Sequence, residues 1–195
     1  MKAILRSGFL ALVILLTLAV QANAGPREDG LAAYQRGDYA TVLKIWRPLA
    51  DQGDADVQYN LGVMHHDGQG VPQDYSAAVK WTRMAAEQDH AHAQFSLGLM
   101  YRKGEGVPQE DAEAVKWYRK AAAQGADRAQ NNLGAMYESG RGLPQNYAEA
   151  LKWYRKAAKQ GYANAQNSLG FMHGKGQGVP QDDAEAVKWY RMAWA

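Results

Sequence analysis

Val107-Pro108-Gln109, followed by Ala114-Val115-Lys116-Trp117-Tyr118-Arg119, comes back almost unchanged every 36 residues. Trp81, Trp117, Trp153 and Trp189 keep the period. So do Gly62, Gly98, Gly134 and Gly170, and Pro72, Pro108, Pro144 and Pro180. A repeat of this length is one supersecondary unit that buries its apolar face only by stacking on its neighbours. The chain is therefore read as a solenoid, an architecture that presents extended binding surfaces.

Four units follow one another at 54–89, 90–125, 126–161 and 162–195. A degenerate unit at 28–53 precedes them, and residues 25–195 are read as one solenoid domain. In the lead unit Gly37 is followed at once by Asp38, whereas five residues separate Gly68 from Asp74. Each unit reads as two helices. In the first full unit, Val57, Leu61, Met64 and His65 recur at helical spacing and predict a helix over 55–66. Gly68-Gln69-Gly70 ends it and Pro72 cannot prolong it. Tyr75, Ala78, Val79, Thr82, Ala85 and Ala86 line a wide face of a second helix over 75–87. Asn146 with Glu149, and Asp182 with Glu185, have capping-box spacing. Gly53, Gly125 and Gly161 mark its end. A glycine inside each first helix costs about 1 kcal/mol against alanine. Close approach of the partner helix's backbone is the expected compensation. The fold class is all-α, an α/α superhelix of helix-turn-helix repeats.

The N-terminus reads as a secretory signal over 1–24. Lys2 and Arg6 precede an apolar run, and Ala22-Asn23-Ala24 places small residues for cleavage between Ala24 and Gly25. The run is short for a membrane span. The expected location is the periplasm or outside the cell, with no stable membrane insertion after cleavage. The full chain carries 22 Lys+Arg and 20 Asp+Glu, so losing Lys2 and Arg6 leaves 20 of each. A near-neutral chain gives no electrostatic reason to seek nucleic acid. The absence of cysteine excludes thiolate zinc sites and cysteine nucleophiles.

Ala93-Gln94, Leu97-Gly98, Met100-Tyr101, Gly104 to Gln109 and Ala114 to Ala122 resemble the Sel-one-like repeat family, a relative of the tetratricopeptide repeat. The resemblance implies right-handed superhelices of antiparallel helix pairs that hold other proteins. It also implies that the first helix of each pair lines the concave face. A secreted branch of the family bears a disulfide in each repeat, and some of its members are linked to β-lactam binding or hydrolysis. This chain lacks those cysteines.

Comparing the units locates a candidate recognition face. Leu61, Leu97, Leu133 and Leu169 stay fixed, as packing residues do. Three columns of the first helices change: Tyr59/Phe95/Asn131/Asn167, Val63/Leu99/Ala135/Phe171 and His66/Arg102/Glu138/Gly174. Their i, i+4, i+7 spacing is one helix face. The groove residues proposed from sequence are Tyr59, Val63, His66, Phe95, Leu99, Arg102, Asn131, Ala135, Glu138, Asn167 and Phe171. The N-terminal half is apolar. The polar half, with Asn132 and Ser168, suits a peptide backbone. Trp194, near the end of the chain, is either a bare end-face contact for self-association or folded back on Trp189 or Phe171.

No cofactor and no catalytic residue is expected. The histidines offer no metal motif, since His65 and His173 stand where Tyr101 and Tyr137 stand. The Gly-x-Gly loops follow helices and lack the lysine–serine ending of a phosphate loop. Lys80, Lys116, Lys152 and Lys188 lie three residues from Arg83, Arg119, Arg155 and Arg191. Glu113, Glu149 and Glu185 are placed to pair with the lysines and make a mixed, solvated face. The functional expectation is a non-enzymatic adaptor that binds a protein or extended peptide. The alternatives are a cell-wall or β-lactam hydrolase and a self-associating structural dimer.

Overall fold

A computed structural model describes residues 25–194 of the chain. The segment read as a secretory signal, with its cleavage point before Gly25, lies outside the described residues. Ten helices follow one another among those described. They are α1 (Pro26–Gln35), α2 (Tyr39–Asp51), α3 (Ala55–Asp67), α4 (Tyr75–Glu87), α5 (Ala91–Lys103), α6 (Asp111–Ala123), α7 (Asp127–Ser139), α8 (Tyr147–Lys159), α9 (Ala163–Lys175) and α10 (Asp183–Ala193). The chain divides into two compact units at residue 52.

The first unit holds the lead hairpin α1–α2. Trp46 is buried, stacks on Tyr34 and presses on Gly30, where a Cβ would lie 2.0 Å from its ring nitrogen. In the second unit α3 to α10 form four helical hairpins, each packed on the next, with the more extensive packing inside each hairpin. Leu61, Leu97, Leu133 and Leu169 are all buried, as are the alanine pairs Ala121-Ala122 and Ala157-Ala158.

Local chemistry sets the helix ends. Gly68, Gly104, Gly140 and Gly176 cap the first helices in the left-handed conformation. The second loop glycine meets a further demand. Gly142 has φ +71, and a Cβ there would sit 2.4 Å from the carbonyl oxygen of Asp111 in the preceding hairpin. At the start of the second helices, the side chains of Asp74, Asn146 and Asp182 accept from the N–H groups of Ala77, Glu149 and Glu185. Glu110 at the same place makes no such bond. Gly53, Gly125 and Gly161 take positive φ after the second helices, and Asp89 takes the same conformation in their column at φ 62.

Buried glutamines join the hairpins. Gln94 Nε2 donates to Ala86 O at 3.1 Å, Gln130 Nε2 to Ala122 O at 3.2 Å and Gln166 Nε2 to Ala158 O at 3.3 Å. Each carbonyl belongs to the preceding hairpin. Gln88, Gln124 and Gln160 then donate to the side-chain oxygens of Gln58, Gln94 and Gln130. A buried amide whose N–H and C=O are both bonded avoids the cost of an orphaned polar group and fixes the stacking register.

The charged face carries the expected pairs. Lys116 meets Glu113, Lys152 meets Glu149 at 3.0 Å and Lys188 meets Glu185 at 2.8 Å. The arginine column does more than solvate a helix. Arg83 donates to the Tyr101 hydroxyl at 2.6 Å, and Arg119 to the Tyr137 hydroxyl at 3.0 Å. Both bonds cross from one hairpin to the next.

Candidate functional site

The variable columns lie on α3, α5, α7 and α9, where most of their side chains are half-buried. Tyr59 stacks on His90 with ring centres 4.9 Å apart. His90 accepts from Ala93 N–H through Nδ1 and reaches Asp56 through Nε2 at 3.1 Å. These contacts leave the Nε2–H tautomer. Phe95 lies 6.0 Å from the Tyr118 ring and packs on the core. Ala135 packs on the last two hairpins. Arg102, Asn167 and Gly174 are half-buried, and Phe171 is exposed. The Oδ1 of Asn131 is buried without a hydrogen bond to the protein. Trp194 is 85% exposed, so it does not fold back on Trp189 or Phe171.

Within each hairpin, the glycine of the first helix faces one residue of the second. A Cβ on Gly98 would lie 2.7 Å from the Tyr118 ring, on Gly134 2.8 Å from Tyr154, and on Gly170 2.7 Å from Tyr190. The backbone oxygen of Ala114 is further from Gly98, at 3.3 Å. The close approach that these glycines permit is thus first to a tyrosine ring and only then to backbone. The Tyr154 hydroxyl donates to Glu138 Oε2 at 2.6 Å. Burial, and then the carboxylate it bonds, hold that hydroxyl well above the usual phenol range, while Ser168 acts in the opposite direction. Burial also raises Tyr118, with Arg102 and Asn132 acting against it.

Gly62 faces Thr82 instead, with a Cβ there 2.4 Å from Thr82 Oγ1. A cavity of about 230 Å³ opens at this hairpin. Four of the residues singled out in the sequence line it: Tyr59, Val63, His66 and Leu99. Thr82, Ser96 and Met100 also line it, and Asp67, Lys103 and Glu105 form its charged part. Phe95, Arg102 and the later column members do not reach it.

His66 links the rim. Its Nδ1 is 2.6 Å from Asp67 Oδ1 and its Nε2 is 3.3 Å from Glu105 Oε2. Burial alone would lower the imidazole, but hydrogen bonds to Asp67 and then Glu105 outweigh it and hold His66 above its ordinary value. Lys103 Nζ approaches the other oxygen of Glu105 at 3.3 Å. The cavity combines an apolar wall with a few oriented polar groups, the usual make-up of a ligand site.

The Sel1 repeat model matches residues 55–90, 91–125, 127–162 and 163–193. The chain belongs to the Sel1 repeat family. Sel1 repeats commonly mediate protein interactions, and the scaffold is generally non-catalytic. A Sel1 repeat protein from Oxalobacter formigenes is 38% identical, with a TM-score of 0.80 over 85% of this chain and 68% of that one. A protective antigen of uropathogenic Escherichia coli strains, displaying an SLR fold, is 43% identical, with a TM-score of 0.76 over 78% of this chain. The match spans 32% of that antigen's length. Cysteine rich protein B of Helicobacter pylori shares the fold at 19% identity and a TM-score of 0.52. No curated protein sequence matches the chain. Among the described residues, no helix is long and apolar enough to cross a membrane.

Proposed function

We propose that this chain is an exported interaction module that holds a protein or an extended peptide segment along the first-helix face of its Sel1 repeats. One observation carries the reading. The columns that change between repeats share a face, and at the first hairpin that face opens into an apolar cavity lined by four of their members, Tyr59, Val63, His66 and Leu99. Export rests on the signal-like sequence of residues 1–24. The mechanism is non-covalent. Apolar side chains enter the first two hairpins, and Asn131, Asn132, Asn167 and Ser168 meet backbone groups beyond them.

Cross-linking in the periplasm followed by mass spectrometry tests this, comparing wild type with the Val63→Lys, Leu99→Lys pair. Both positions are half-buried, so long lysine stems can be accommodated while their charges block an apolar ligand. The expected result is loss of the captured partner with unchanged circular dichroism. An unchanged capture profile places the binding surface elsewhere.

A second reading, self-association, is favoured by the exposed apolar groups Val187, Tyr190, Met192 and Trp194 on and after α10. Light scattering of wild type and Trp194→Ala checks it. A monomer in both removes it.

A further inference from the structure

Position 82 is the exception in an aromatic column. Counting back and forward by the period gives Trp46, Thr82, Tyr118, Tyr154 and Tyr190. All four rings press on the glycine of their own hairpin's first helix, Trp46 on Gly30, Tyr118 on Gly98, Tyr154 on Gly134 and Tyr190 on Gly170. Only Thr82 supplies no ring.

The surroundings of the missing ring are conserved in kind between hairpins. The Tyr154 hydroxyl is met by Glu138 on its own hairpin and by Ser168 on the next. Their counterparts two periods back are His66 and Ser96, and both line the cavity beside Thr82. The cavity therefore occupies the place that a tyrosine ring fills in the third hairpin. Its apolar wall comes from Val63, Leu99 and Met100. His66 and Ser96 bring hydrogen-bonding groups to the positions whose counterparts, Glu138 and Ser168, meet the phenol oxygen of Tyr154.

We infer that the cavity is a socket for one aromatic side chain, phenylalanine or tyrosine, of the segment held on the first-helix face. This rests on the groove reading above. A ring supplied from outside enters with its edge toward Thr82 and its methylene at the mouth. The adjoining backbone amides then lie beside His66 and Ser96, where the third hairpin places a polar oxygen. A ring is a better match than a branched aliphatic side chain, because the neighbouring hairpins fill the same space with a flat ring against a bare glycine.

Thr82→Tyr is the decisive variant. It supplies the ring in cis, as the other hairpins do, so the fold is retained and the socket is closed. Methyl NMR of Val63, Leu99 and Met100 is recorded with p-cresol, with N-acetyl-L-phenylalaninamide and with N-acetyl-L-leucinamide. Ligands this small bind in the millimolar range at best. The two aromatic probes are expected to shift these methyl signals in wild type and not in Thr82→Tyr, and the leucine probe to bind more weakly than its phenylalanine counterpart. Partner capture by cross-linking is expected to fall about tenfold in Thr82→Tyr, the change that about 1.4 kcal/mol of lost affinity produces. Aromatic probes that fail to bind wild type, or that bind both proteins alike, overturn the inference. So does full partner capture by Thr82→Tyr. If the lysine pair abolishes capture while Thr82→Tyr retains it, the socket fails and the groove reading stands. If the lysine pair captures normally, the groove reading itself fails.

Discussion

The first and third hairpins of the second unit share one motif and solve its central contact differently. In the third, Tyr154 is buried against Gly134 and bonds Glu138, so the space between its first helix and the next is filled. In the first, Thr82 stands at the same place and a cavity remains. The stacking bonds recur from seam to seam: Gln94, between the first and second hairpins, and Gln130, between the second and third, make the same pair of amide contacts, and Gln94 adds one to Asp89 Oδ1. A repeat protein can therefore open a pocket by changing one side chain while leaving the bonds that hold its units in register.

Four experiments test that contrast. Tyr154→Ala has the largest expected effect. Removing a fully buried aromatic ring costs about 3–5 kcal/mol. Thr82→Ala costs clearly less, because its surroundings are already open. Urea unfolding of the two variants checks this, and equal losses would erase the difference between the hairpins.

Gln130→Leu comes next. It strips the Ala122 carbonyl and the Gln160 amide of a buried partner, at about 1–3 kcal/mol. Gln94→Leu should cost the same. A much smaller loss at Gln94 would mean that the open hairpin is loosely stacked as well as open.

His66→Gln has a smaller effect that depends on pH. His66 is held above its ordinary value by Asp67 and Glu105. Its charged form is therefore favoured by the fold. Its contribution is complete below the ordinary imidazole value of 6.5 and is lost as pH rises through the higher folded value. The stability gap between wild type and variant is expected to be wider at about pH 5.5 than at about pH 8. Melts at the two pH values measure it, and a constant gap would remove the ion-pair account of the rim.

The smallest effect belongs to the exposed pair Lys152 and Glu149. A double-mutant cycle should give a coupling of about 0.3–0.5 kcal/mol, reduced by salt.

Much of the fold was legible in the sequence. Gly-x-Gly followed by proline dictates where each first helix stops, and α4 spans Tyr75–Glu87 as its periodicity predicts. The leucine column packs because a fixed apolar residue at helical spacing has nowhere else to go. Of the ten residues that line the candidate cavity, four were legible. Tyr59, Val63, His66 and Leu99 were reached through columns that change between repeats, and the cavity brings them together. Thr82 was missed because a threonine on the apolar face of a helix reads as an ordinary packing residue. Its signal was a ring absent from the column Trp46, Tyr118, Tyr154 and Tyr190, visible only when second helices are aligned with each other. Gln94 and its counterparts were missed as joints, since a glutamine in isolation reads as surface. The arginine column reads as a solvated face because its tyrosine partners lie 18 residues further along the chain.

The most direct measurement is the unfolding free energy of Thr82→Tyr. If the first hairpin holds an empty ring-shaped space in register with its neighbours, the variant is more stable than wild type by about 0.5–2 kcal/mol, the usual gain on filling a cavity. A variant less stable by about 1–3 kcal/mol, as overpacking produces, would show that the space is already occupied and would contradict the account.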